Sequence, residues 1–295
     1  VFDVTPYAEA VARFLLRNPM NQNLPRKFKI AFSGCPDDEG ITAIHDIGVR
    51  AVWHRENGVS HRGFRVLMGG GLGPVPHHAQ LLEEFTPAED LLATVAAIVR
   101  IFDRFGNREN RSRARMKFIL HEFGLEKFRT VVLKERTGLT LTMAGQIPPI
   151  VVREELPPIR RPAPAGAPVV DDPAYAAWRR SNVRPQKQAG YAMVTTRLEL
   201  GDFTPLQLRL LAFAAREFGD GTVRTTNQQN FLLRWVPQEG LPGLYRVLRR
   251  ADLGRAGADR FIDVTACPGG DTCQLGITSS RGLAVAITRM IEDVI

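Results

Sequence analysis

Two cysteines, Cys267 and Cys273, are separated by five residues, with Pro268-Gly269-Gly270 between them. A flexible loop of this kind can bring two thiolates to one soft metal centre, iron–sulfur or zinc. A pair supplies fewer ligands than either centre usually takes, so two unrelated buried cysteines fit the spacing as well. The run Pro25-Arg26-Lys27-Phe28-Lys29-Ile30-Ala31-Phe32 carries a different chemistry. Read as a strand over 26–32, it puts Lys27 and Lys29 on one face and Phe28, Ile30 and Phe32 on the other. Two ammonium groups on a rigid element can neutralise a small oxyanion and give it protons. A half-buried strand with a solvated lysine face has the same pattern.

Three further stretches could bind a polar or anionic group. Five basic residues, Arg108, Arg111, Arg113, Arg115 and Lys117, crowd the predicted start of a helix over 111–123. A helix dipole disfavours cations there, which points to a compensating anion. On a helix, Arg108, Arg111 and Arg115 share a face and suit carboxylates, or equally the solvent or an RNA backbone. Gly69-Gly70-Gly71-Leu72-Gly73 follows a predicted strand over 64–68 and lets backbone approach a flat ligand, or makes an ordinary tight turn. Arg224, Thr226, Gln228 and Asn230 line one face if 222–235 is extended. That face suits a polar ligand or solvent.

The elements that must position these groups follow from periodicity. Helices are expected at 5–18, from Thr86-Pro87-Ala88-Glu89 to Gly106, at 111–123, from Thr204-Pro205-Leu206-Gln207 to Phe218, and at 241–253. The two Thr-Pro-x-Glu/Gln strings both read as capping boxes. Strands are expected at 26–32, 45–53, 64–68 and 191–200. Residues 147–174 are rich in proline and read as a linker or an extended arm rather than a packed core. The chain of 295 residues is 44% hydrophobic, ample for a core without crosslinks. Its formal charge of +8 fits a basic surface, a nucleic-acid partner or a pocket for a polyanion. Three cysteines suit a reducing compartment and argue against a disulfide framework. No apolar run spans a bilayer, and the first residues lack the pattern of a signal peptide. The six histidines show no ligand spacing.

Taken in order, NLPRKFKIAFSGC, GFRVLMGGGLG, RFGNRENRSRARMK, residues 224–230 and ACPGGDTC resemble the sirohaem-dependent assimilatory sulfite and nitrite reductases. The likeness runs from about residue 20 to the end, and residues 178–190 resemble the bacterial ferredoxin-dependent branch. The resemblance implies a mixed α+β fold: a haemoprotein unit joined by a Pro-rich linker to a ferredoxin-like half-domain. The implied divisions are a first sirohaem-binding unit over 1–140, a linker over 141–180, a ferredoxin-like half over 181–255 and the start of a second haemoprotein unit over 256–295. It implies Lys27 and Lys29 as catalytic residues facing the oxyanion. Sirohaem would be held by Gly70, Gly71, Arg108, Arg111, Arg115, Lys117, Arg224, Thr226, Gln228 and Asn230. Cys267 and Cys273 would ligate a 4Fe-4S cluster whose other two cysteines, spaced by three residues, are expected after Ile295. A first ferredoxin-like half is expected before Val1, and the piece alone is expected to be inactive. Cys35 reads as a remnant of duplication, because Asp37-Asp38 stand where a second cysteine would be needed.

The implied reaction is the six-electron reduction of sulfite to sulfide, or of nitrite to ammonia, with electrons from ferredoxin. Lys29 favours sulfite, since plant nitrite enzymes tend to have asparagine there. The expected protein is a cytoplasmic monomer without nucleic-acid or membrane partners. A precorrin-modifying enzyme of the same fold and a basic RNA-binding protein are the competing readings.

Overall fold

The computed structural model describes residues 1–73, 75–142, 146–152, 158, 172–274 and 276–294. Most of the proline-rich segment, 153–157 and 159–171, lies outside them. The chain divides into two units, Val1–Glu155 and Leu156–Ile295.

The first unit opens with α1 (Thr5–Leu15), which ends three residues before the expected stop because Leu16 turns extended. Next come β1 (Ile30–Ser33), β2 (Ile47–Glu56), β3 (Val59–Met68) and β4 (Gln80–Pro87), in spatial order β1-β2-β3-β4. β1 runs parallel to β2, and the other pairs are antiparallel. Asn57-Gly58 joins β2 to β3 with φ of 50° and 81°. A turn with two positive φ values matches the twist of the strands it joins. Ile47, Val49, Phe64, Val66 and Met68 are buried and give the sheet its inner face. They pack with α2 (Leu91–Phe105), whose residues 91–99 are all buried, as in a helix covered nearly all round. Two helices follow, α3 (Met116–Phe123) and α4 (Leu125–Thr142). Gly124 ends α3 at φ 76°, and α4 begins at the next residue. Ile147, Ile150 and Val152 pack against this core, so the start of the expected linker belongs to the first unit.

Three expectations fail here for local reasons. The strand expected at 26–32 is regular only over Ile30–Ser33, because the pairing with β2 begins at Ile30 opposite Ile47. The helix expected at 111–123 is a single tight turn at Arg111–Arg113 followed by α3, with Arg115 as the extended residue before the helix. The capping box at Thr86 does not form. Thr86 pairs with Phe64 in the sheet, its hydroxyl donates to Glu83 (2.6 Å), and α2 starts only after a tight turn at Ala88–Asp90.

The second unit starts with α5 (Pro173–Asn182), capped by the Asp172 carboxylate, which accepts from the Ala174 and Tyr175 amides. Most of α5, up to residue 180, falls in the span expected to be linker, yet its Trp178 is fully buried against Tyr175 and Tyr245. Then come β5 (Val183–Pro185), β6 (Tyr191–Thr196), α6 (Pro205–Phe218), β7 (Val223–Thr225), β8 (Phe231–Pro237), α7 (Leu241–Arg250) and α8 (Ser280–Glu292). The sheet is antiparallel in the order β5-β6-β8-β7. At α6 the capping box is complete: the Gln207 amide N–H donates to Thr204 Oγ1, and the Thr204 N–H donates to Gln207 Oε1. Leu211, Ala214, Leu244 and Leu248 close the core over Val194 and Leu233.

Candidate functional site

In the first unit, Phe28 packs its ring on Phe102, with centroids 5.2 Å apart. Lys27 and Lys29, on either side of Phe28 in the chain, are both exposed. The alternation read from the sequence therefore survives although the regular strand starts later. Lys29 is tied through its backbone: its N–H donates to Asp46 Oδ2 (2.9 Å) and its carbonyl accepts from the Ile47 N–H (3.1 Å).

Asp46 is the centre of this region, and sequence reasoning missed it. Its side chain has no solvent exposure, and it accepts from Arg115 Nε (3.2 Å) and Nη2 (2.8 Å) in a two-pronged ion pair. Burial raises the Asp46 pKa. The hydrogen bonds and charge of Arg115, and the Lys29 N–H, oppose the rise without cancelling it. The only signal in the sequence was an acid placed directly before an apolar strand.

The glycine run is held from below by the same segment. Gly69 N–H donates to the Asp46 carbonyl (2.8 Å) and Gly70 N–H to the His45 carbonyl (2.9 Å). A Cβ on Gly70 would lie 2.6 Å from the carbonyl oxygens of Ala43 and His45, so only glycine fits. A Cβ on Gly71 would lie 3.1 Å from Arg115 Nη2. Gly71 and His77 exchange backbone hydrogen bonds of 3.0 and 2.9 Å and close a loop. Lys117, only 3% exposed, donates into that loop, to the carbonyls of Leu72 (3.1 Å), Gly71 (3.5 Å) and Val75. Burial lowers the Lys117 pKa, and the nearby Arg115 charge adds to this.

The basic run therefore splits by role. Arg108 donates to the Asp103 carboxylate (2.6 Å) and to the carbonyls of Asp103 and Asn23. Arg115 is committed to Asp46 and Lys117 to backbone, while Arg111 and Arg113 are exposed. The shared helical face of Arg108, Arg111 and Arg115 does not exist, because residues 108–115 precede the helix.

In the second unit, the expected strand face of Arg224, Thr226, Gln228 and Asn230 is replaced by a turn. The Thr226 N–H donates to the Asn230 carbonyl (2.9 Å), and Gln229 has φ 63°. Arg224 lies in β7 and pairs with Asp220 (3.1 Å), and Gln228 is exposed. Asn230 is buried; it donates to Asp263 Oδ2 (2.6 Å) and accepts from the Leu198 N–H (2.8 Å). Sequence alternation passed over Gln229, whose side-chain amide meets the backbone of Ala266.

Cys267 and Cys273 are exposed, free thiols on a loop at the start of α8. The Cys267 pKa is lowered, first by its hydrogen bond with the Ser280 hydroxyl (3.3 Å) and then by the Gly269 N–H. Cys273 N–H donates to the Gly269 carbonyl (3.0 Å), and Gly270 N–H to the Thr278 carbonyl (2.8 Å). A lowered, exposed thiol at a helix start is the form that ligates soft metals. Cys35, half-buried, lies in the first unit. Among the described residues, no three His, Cys, Asp or Glu side chains form a metal-binding group.

The first unit thus combines a mixed sheet, a glycine loop and two exposed lysines, and the second an antiparallel sheet and a loop with two exposed thiols. The "Nitrite and sulphite reductase 4Fe-4S domain" family matches residues 1–141, and the "Nitrite/Sulfite reductase ferredoxin-like half domain" family matches residues 184–251. The chain belongs to the nitrite and sulfite reductase family. It is 29% identical over 92% of its length to the assimilatory ferredoxin-dependent nitrite reductase of Haloferax mediterranei, covering 44% of that protein. It is 28% identical over its whole length to sulfite reductase (ferredoxin) 1 of Mycolicibacterium paratuberculosis, covering 48% of that protein. The solved structure of the Mycobacterium tuberculosis NirA protein matches 98% of this chain and 48% of that one, with a TM-score of 0.71 and 25% identity. The chain thus spans about half the length of the relatives it matches.

Proposed function

We propose that this chain forms part of an assimilatory reductase that takes sulfite to sulfide with six electrons from ferredoxin, using sirohaem and a 4Fe-4S cluster. The observation that supports it most is the orientation of Lys27 and Lys29, exposed together while Phe28 between them is locked on Phe102. The residues present fit the two groups. Gly71, buried, carries no side chain where it borders the Arg115 guanidinium, Arg111 and Arg113 are exposed cations for carboxylates, and Cys267 and Cys273 are exposed thiols suited to iron. When bound, the two groups supply the electron path and the redox-active iron.

The chain's own residues supply the rest. Lys27 and Lys29 bind the oxyanion, hold protons at Nζ and release them as oxygen leaves as water. Asp46 fixes the Lys29 backbone and turns Arg115 toward Gly71. The sirohaem carboxylates fall to Arg111 and, through whichever donors are not spent on Asp103 and Asp46, to Arg108 and Arg115. Gly70, Lys117, Arg224, Thr226, Gln228 and Asn230 complete the proposed sirohaem set, with Lys117 and Asn230 acting through the loops they fasten. Cys267 and Cys273 are the first two cluster ligands, and we place the other two outside residues 1–295. We divide the protein as a first haem-binding unit, a linker, a ferredoxin-like half and the start of a second haem-binding unit. We also propose that it works as a cytoplasmic monomer, its free thiols suiting a reducing compartment.

The test is the visible spectrum of the full-length protein purified anaerobically, followed by ferredoxin-driven turnover of sulfite and nitrite. Haem bands with a preference for sulfite are expected, and Lys29→Asn should move the preference toward nitrite. Absence of haem absorbance would sink the proposal. Nitrite reduction is the second reading, favoured by the relatives named as nitrite reductases. A higher kcat/KM for nitrite in the unmodified protein decides for it.

A further inference from the structure

Gln229 sits in left-handed backbone, φ 63°, where a residue other than glycine is strained by about 1 kcal/mol or more. The turn that imposes this conformation aims its side chain at the backbone of one residue. Gln229 Nε2 donates to the Ala266 carbonyl (2.8 Å), and the Ala266 N–H donates to Gln229 Oε1 (3.2 Å). Both polar groups of Ala266 are thereby satisfied by one side chain, as a neighbouring strand would satisfy them. Ala266 is the residue before Cys267.

The surroundings support this contact from each side. Next to Gln229, the buried Asn230 holds Asp263 (2.6 Å), and Asp263 accepts the Asp259 N–H (2.9 Å). The chain is therefore pinned at 263 and again at 266, just before the cysteine loop begins. Gly201 leaves room for the turn, since a Cβ there would stand 3.1 Å from Gln229 Cβ. Beyond Cys267, the loop is tied to the start of α8 through Gly270 and Ser280. An exposed ligand loop that is ordered before it meets its metal does not pay that entropy on binding.

We infer that Gln229 is a positioning residue that fixes the entry to the cysteine loop and so presents Cys267 to the metal centre. The inference rests on the proposed role of Cys267 as a cluster ligand. Gln229→Gly is the informative variant, because glycine accepts the left-handed backbone while removing the clamp. In the 295-residue chain, hydrogen exchange at the Ala266 amide should rise about tenfold, with β8 and α6 amides unchanged. Gln229→Glu keeps the acceptor and loses the donor, and should fall between. In the full-length protein purified anaerobically, Gln229→Gly should lose iron to a chelator severalfold faster than the unmodified protein, and Cys267→Ser should lose it outright.

Unchanged exchange at Ala266 in Gln229→Gly overturns the clamp. Faster exchange with unchanged iron retention, while Cys267→Ser loses iron, overturns the positioning role and leaves Cys267 as a ligand. Full iron retention by Cys267→Ser overturns both.

Discussion

The first unit anchors Arg115 and the Lys29 backbone on Asp46, a carboxylate with no solvent exposure, whereas the second holds Cys267 and Cys273 on an exposed loop fastened from outside by Gln229 and Ser280. The contrast follows the chemistry each region is proposed to do. Cations that meet an oxyanion must stand at fixed angles before it arrives, and a buried carboxylate gives fixed angles. Thiolates that take up iron must be reached from solvent, so their order has to come from backbone clamps beside them. Rigidity in the first unit is therefore a property of its core, and in the second a property of a few hydrogen bonds.

The difference can be broken most forcefully at Asp46. Asp46→Ala leaves the Arg115 guanidinium, whose side chain is 13% exposed, without its counter-ion, and leaves the Lys29 N–H unpaired. Removing one partner of such a pair costs about 3–5 kcal/mol, which denaturant unfolding of the first unit should show. No single change in the cysteine loop should cost as much. Lys117→Met comes next. It removes an ammonium that serves carbonyls of Gly71, Leu72 and Val75, and should cost about 2 kcal/mol. Exchange at the Gly71 amide should quicken with it, because the loop closed on His77 loses its internal tie.

What could be read from the sequence divides along the same line. Alternating apolar residues located β2, β3 and β6, and the exposure of Lys27 and Lys29 came through because Phe28 between them packs against the core. Two strings of nearly the same letters, Thr86-Pro87-Ala88-Glu89 and Thr204-Pro205-Leu206-Gln207, met different fates. The second caps α6, since residues before it are free of the sheet. The first does not, since β4 carries Thr86 into a pair with Phe64 before any helix can start. Strand pairing is a long-range fact that no local string records. Asp46 and Gln229 were hidden for the same reason: their partners Arg115 and Ala266 lie 69 and 37 residues away.

The two threonines turn that lesson into a measurement. Thr204→Ala should destabilise the second unit by about 1 kcal/mol and fray the first turn of α6. Thr86→Ala should cost somewhat more, about 1.5–2 kcal/mol, since the hydroxyl donates to a charged Glu83. Amide exchange in the first turn of α2 should nevertheless stay as it was, and fraying there would show that Thr86 caps the helix after all.

The smallest expected effect concerns acid, and it sets two carboxylates of the first unit against each other. Burial pushes the Glu83 pKa up, but hydrogen bonds from Arg136 (2.5 and 2.9 Å) and Thr86, with the charges of Arg136 and Arg129, bring it below its ordinary value of 4.5. Its contribution to stability is therefore present above about pH 4.5 and lost as the pH falls through the lower, folded-state value. Asp46 has the opposite sign. Burial holds its pKa above the ordinary 3.8, so the stability linked to its protonated form is present below that value and is lost as the pH rises through the folded-state value. Glu83→Gln should flatten the loss of stability on acidification, measured as urea midpoints from about pH 6 to about pH 3. Asp46→Asn should steepen it, because the group that resists acid is gone while Glu83 remains. If both variants change the acid slope in the same direction, the two carboxylates do not differ in the way their surroundings dictate.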